Sequence, residues 1–80
     1  MTHTHGTSLD VHAFWDDEAG VWVAESEQVP GLVTEAETLE QLAVKLESLI
    51  PELLELNTPG YADTPTINLT AERTLHAVSG

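Results

Sequence analysis

The sequence predicts an α+β domain: a small, mostly antiparallel sheet carrying one helix on one face, in the order β-β-β-α-β. Three observations predict it. Residues 9–15 and 21–26 have strand-like patterns and are joined by a short acidic loop ending in Gly20. Residues 39–54 then carry one continuous apolar stripe at helical spacing. A last alternating stretch begins at residue 66. The chain has 80 residues, enough for one domain, and residues 9–80 are read as that domain. Residues 1–8 form a polar, Gly-containing tail that is expected to be disordered.

Each element has its own signal. In the first strand Leu9, Val11, Ala13 and Trp15 share one parity, and Asp10, His12 and Phe14 the other. Residues 16–20 read as a hairpin connection. In the second strand, residues 21–26, both faces are apolar: Val21 and Val23 lie on one, Trp22 and Ala24 on the other. Val29-Pro30-Gly31 places Pro and Gly as a type II turn requires. A short third strand spans 32–36.

Thr38, followed three residues later by Gln41, is a capping box that opens the helix. Its apolar stripe is Leu39, Leu42, Ala43, Leu46, Leu49, Ile50, Leu53 and Leu54, opposed by Glu40, Lys45, Glu47, Glu52 and Glu55. Pro51 removes one amide donor and bends the helix without shifting the stripe out of phase. Asn57 is a reasonable stop, ahead of Pro59-Gly60. The last strand, 66 to about 78, puts Ile67, Leu69, Ala71 and Leu75 on one parity and polar residues on the other.

The charge balance excludes some functions. Fourteen carboxylates face only Lys45 and Arg73, for a formal charge of -12. Nucleic-acid binding draws most of its non-specific affinity from Lys and Arg on phosphates, so direct nucleic-acid binding is not expected. An acidic surface serves solubility or attracts a basic protein. The chain has no cysteine, hence no thiol nucleophile or thiolate metal site. No stretch approaches the ~20 apolar residues of a membrane span. Residues 1–8 lack an apolar signal segment, so a cytoplasmic protein without membrane attachment is expected.

No constellation points to catalysis, and no catalytic, metal-binding or cofactor-binding residue is predicted. Asp10 reads as a solvated strand residue rather than a metal ligand. His3 and His5 form an isolated His-x-His in the tail, too small a donor set for a metal. His12 reads as a sheet-face residue, and His76 has no relay partner near it in sequence. The serines lack a nucleophile elbow, and there is no Gly-rich phosphate loop.

The aromatic residues carry more information. One helix covers one face of a small sheet, while Trp22 and Val23 are neighbours pointing to opposite faces. One of them is left exposed in a monomer, with Phe14 a candidate to join it. Exposed apolar groups ringed by acids point to a protein interface. The candidate partner-binding residues are Phe14, Asp16, Asp17, Glu18, Trp22, Glu25 and Glu27. A chain this small has a thin core, so a homodimer or higher homo-oligomer is also expected.

Trp15-Asp16-Asp17-Glu18-Ala19-Gly20-Val21-Trp22-Val23-Ala24, then Val29-Pro30-Gly31-Leu32-Val33-Thr34-Glu35-Ala36, Thr38-Leu39-Glu40-Gln41-Leu42 and Leu49-Ile50-Pro51-Glu52-Leu53-Leu54 follow in this order. In that order the chain resembles the HicB-like antitoxin superfamily. More narrowly it resembles a short stand-alone branch catalogued as a bacterial domain of unknown function. The resemblance implies a partly degraded ribonuclease-H-like fold. It also implies binding of a small basic HicA-type ribonuclease toxin, whose catalytic surface the antitoxin masks, and frequent self-association.

Two departures from the superfamily pattern bear on these expectations. The chain ends at Gly80 without room for the C-terminal DNA-binding module of full-length members, so autorepression is not expected of it alone. Of the Gly-Asp-Thr that precedes the helix in better-known antitoxins, only Thr38 is matched. Two alternatives stay open: a homo-oligomeric scaffolding domain without a toxin, and a residual metal-dependent nuclease built around Asp10.

Overall fold

A computed structural model describes residues 8–61 and 64–78. The expected order is observed: β1 (Ser8–Asp16), β2 (Val21–Glu25), β3 (Thr34–Ala36), α1 (Leu39–Asn57) and β4 (Thr66–Glu72). The sheet order is β3-β2-β1-β4. β1–β2 and β2–β3 are antiparallel, and β4 joins β1 in parallel, so the sheet is mixed. The parallel pairing follows from the long helix between β3 and β4, which returns the chain to the far side of β1.

The connections use the predicted chemistry. In the β1–β2 loop Gly20 adopts φ +69, and its amide donates to the Asp16 carbonyl at 2.8 Å. The Asp16 carboxylate accepts from the amides of Glu18 and Ala19 at 3.1 and 3.2 Å, which holds the loop in its turn. At the second turn the Leu32 amide donates to the Val29 carbonyl at 3.1 Å, and Gly31 has φ +84, as a type II turn requires.

The Thr38 hydroxyl caps α1 by accepting from the Gln41 amide at 3.1 Å. This is one half of the expected capping box; the reciprocal bond from the Gln41 side chain is not formed among the described residues. The helix runs through Pro51 without interruption. Pro51 and Glu47 both lie on the exposed face, where water can serve the carbonyl that loses its donor.

The core lies between α1 and the sheet face formed by the odd positions of β1. Leu42, Leu46, Ile50 and Leu54 of the helix close over Leu9, Val11 and Ala13 of β1, Ala24 of β2 and Ala36 of β3. Val29 and Leu32 plug one end. Across this face Thr34, Ala24, Ala13 and Ala71 stand in one row, of which Ala13 and Ala24 are buried and Ala71 is exposed.

Several boundaries differ from the sequence reading; β1 ends at Asp16 and β2 at Glu25, each one residue from the expected end. β1 begins at Ser8, inside the expected tail; the rest of that tail, with His3 and His5, lies outside the described residues. The third strand is Thr34–Ala36 rather than 32–36, because Leu32 is committed to closing the turn and Val33 is 81% exposed. β4 stops at Glu72 rather than near residue 78. The parallel ladder ends at the Phe14–Glu72 pair, two residues before β1 itself ends at Asp16.

Candidate interaction surface

With α1 on one side, no described element covers the other side of the sheet. β2 and β1 place Val23 directly opposite Phe14, and β3 and β4 extend that row at both ends with Glu35 and Glu72. The row therefore reads acid, apolar, apolar, acid across the whole width of the sheet. Phe14 is 37% exposed and Val23 is half-buried. The next row is Glu25, His12 and Thr70, and the one after pairs Asp10 with Asn68.

Local contacts hold these side chains in place. The His12 ring lies 6.4 Å from the Phe14 ring, at 27° to it. Its Nε2 is 3.5 Å from a Glu72 carboxylate oxygen, and its Nδ1 is 3.5 Å from the Thr70 hydroxyl. Asn68 donates to the Ser8 hydroxyl at 2.8 Å and to Asp10 at 3.4 Å. Where the β1–β2 ladder ends, side chains take over. The Gln28 side-chain Oε1 accepts from the Asp10 amide, and the Ser26 hydroxyl donates to the Asp10 backbone carbonyl, each at 2.7 Å. This tie sets the Glu25–Gln28 segment beside the open face, in a shallow hollow with Asp10, His12 and Thr70.

Neither of the chain's two cations serves this face. The Lys45 ammonium donates to the Glu35 backbone carbonyl at 2.7 Å, at the edge of β3. The Arg73 guanidinium lies 4.3 Å from the centre of the Trp15 ring, on the helix-bearing side. The open face thus presents Glu25, Glu35, Glu72 and Asp10 around an apolar centre, with His12 as its sole ionisable nitrogen among the described residues.

The structure separates the seven residues singled out from sequence. Phe14 and Glu25 lie on the open face. Glu27 sits in the hollow at its margin, and Glu18 is exposed in the hairpin loop. The Asp16 carboxylate is occupied in building that loop. Asp17 accepts from the Trp15 indole at 3.1 Å. Trp22 lies on the helix-bearing face, edge-on to Trp15 at 5.4 Å and packed against the core. Phe14 and Trp22 therefore do not share one surface.

Val23, His12, Glu35 and Glu72 are not among those seven. Val23 and His12 had a visible signal, since they fall on the parity that faces Phe14. Glu35 and Glu72 depend on register, which the sequence does not carry. No group of three or more His, Asp or Glu side chains among the described residues is arranged to hold a metal ion. No described helix is long and apolar enough to cross a membrane.

Fold and surface together define a small α+β domain with a helix-backed sheet whose second face is open. The chain belongs to the family described as a domain of unknown function, DUF1902, whose model matches residues 8–78. It is similar to a hypothetical protein from the extremely thermophilic bacterium Thermus thermophilus, known from its crystal structure. The two are 51% identical, with a TM-score of 0.67, over 90% of this chain and 99% of that one. Among curated proteins there is no match.

Proposed function

We propose that this domain is a non-enzymatic interaction module that binds a small basic protein on the open face of its sheet. The observation that carries this reading is the row Glu35, Val23, Phe14, Glu72. Its apolar centre supplies contact area that stays exposed in the monomer. Its acidic flanks supply long-range attraction and discriminate against acidic partners. The chain's charge of -12 acts in the same direction.

The resemblance to HicB-like antitoxins narrows the partner to a HicA-type ribonuclease. The mechanism is then occlusion: the acidic face covers the basic surface with which the toxin engages RNA. The test is co-expression with any small basic protein encoded beside this chain, followed by size-exclusion chromatography and a growth assay. A co-eluting complex together with rescue from toxicity is the expected result. Separate elution without rescue would sink the toxin reading.

A second reading, a self-associating scaffold, is supported by a different feature, the outer edge of β4, which pairs with no other strand among the described residues.

A further inference from the structure

We propose that protonation of His12 closes the open face to basic partners, because the imidazolium engages the same side chains that a partner's cation would use. The gate presupposes that this face is a docking surface, as proposed above, and adds its regulation.

His12 stands among the groups assigned to the partner. Its Nε2 lies 3.5 Å from a Glu72 carboxylate oxygen. Glu25 is its direct cross-strand neighbour on β2, at a separation where opposite charges interact. Its ring stacks against Phe14, with 6.4 Å between centroids and 27° between planes. Asp10 and Glu27 line the shallow hollow beside it, and Glu35 lies one row further on, at the edge of the sheet. Every charged group that faces His12 among the described residues is thus a carboxylate. Lys45 is engaged at the β3 edge and Arg73 over Trp15.

The surroundings accept the ring in either charge state. Histidine is the side chain that ordinarily changes charge between about pH 5 and 8. A neutral imidazole has one donor and one acceptor nitrogen, and an imidazolium has two donors. Glu72 accepts from Nε2 in both states. The Thr70 hydroxyl, 3.5 Å from Nδ1, donates to the neutral ring and accepts from the charged one. The proton therefore arrives without moving the ring.

Once charged, His12 sets its own cation against Glu25, Glu72 and the Phe14 ring. It also places a positive charge where a basic partner must approach. Above the histidine range the carboxylates are left to the partner. Linkage makes the effect reciprocal, so a docking cation expels the proton.

The probe is the peptide acetyl-Arg-Leu-Leu-Arg-amide, whose pattern complements the row Glu35, Val23, Phe14, Glu72. It is titrated onto the full chain at constant ionic strength, at about pH 8 and about pH 5.5, which bracket the histidine range and stay above that of ordinary carboxylates. Amide shifts of Phe14 and Val23 locate and measure binding. The dissociation constant is expected to rise about three- to fivefold at the lower pH. His12→Gln is expected to bind equally at both. His76→Gln, at a histidine that lines a separate hollow with Phe14 and Glu72, is expected to keep the native response. In the free chain the carboxyl carbons of Glu25 and Glu72 are expected to shift in step with the His12 ring, and not in His12→Gln. Binding that is equal at both pH values, or a pH response that survives His12→Gln, overturns the gate and leaves docking on this face intact. No shift at Phe14 and Val23 at either pH overturns the docking surface and the gate with it.

Discussion

Trp15 and Trp22 face each other across the β1–β2 pair, ring centroids 5.4 Å apart and planes at 63°. Arg73 lies over the Trp15 ring, and Asp17 accepts from its indole. One aromatic side chain thus joins the hairpin, its loop and the segment leaving β4. The guanidinium contributes about 0.5–1 kcal/mol at a site of this exposure. Arg73→Gln is expected to lower unfolding stability by that amount in urea and to increase acrylamide quenching of the tryptophan emission. Unchanged midpoint and quenching would show that the contact carries no energy.

Leu46 is fully buried beneath the helix, whereas Leu56 on the same helix is 75% exposed. Leu46→Ala should cost about 2–5 kcal/mol, from lost transfer energy plus the cavity left behind. A domain of this size has only about 4–12 kcal/mol in total, so the melting temperature should fall by at least about 8 °C. Leu56→Ala should stay within about 0.5 kcal/mol of the parent. Equal effects of the two would contradict the assigned helix face.

At Gly31 the backbone, not space, sets the cost of a side chain. An added Cβ would meet Leu53 Cδ2 at 3.8 Å, an ordinary contact. The positive φ of +84 is what a side chain resists. Gly31→Ala is expected to destabilise by about 1–2 kcal/mol, and Gly31→Asn by less, because Asn tolerates this region better. Equilibrium denaturation of both variants checks the order.

The helix start makes a fourth case. Thr38→Ala removes the hydroxyl that accepts from the Gln41 amide and is expected to cost about 1 kcal/mol. Thr38→Asp should retain most of that, since a carboxylate accepts the same bond and favours the positive end of the helix. A circular-dichroism melt in which Thr38→Asp falls as far as Thr38→Ala would reject the capping role.

Most of the fold was legible in short-range chemistry. Period two in β1, Pro30-Gly31, Thr38 with Gln41 and the stripe from Leu39 to Leu54 each act within a few residues. What sequence could not supply was pairing. Glu72 stands in the Phe14 row only because β4 lies parallel to β1, at the register that pairs Phe14 with Glu72. Glu35 joins through Val23 in the same way. Two of the hairpin acids also have local partners that the sequence does not announce: Asp16 accepts from the loop amides and Asp17 from the Trp15 indole. The side of Trp22 was not legible either, because two apolar neighbours, Trp22 and Val23, compete for one helix, and residue size does not decide which of them it covers.

That competition defines the most direct test of the open face. Phe14→Ser removes the apolar centre at a side chain the core does not use, so folding should survive with a loss of about 1 kcal/mol or less. Capture of the basic partner should weaken by at least tenfold, about 1.4 kcal/mol, if Phe14 is an anchor. Glu35→Gln with Glu72→Gln acts differently. Flanking charges mainly steer the encounter, so the pair should slow association and flatten its salt dependence, leaving dissociation nearly unchanged. Surface plasmon resonance at two ionic strengths separates the two effects. A Phe14→Ser variant that binds like the parent would remove the open face as the docking site, whatever the partner proves to be.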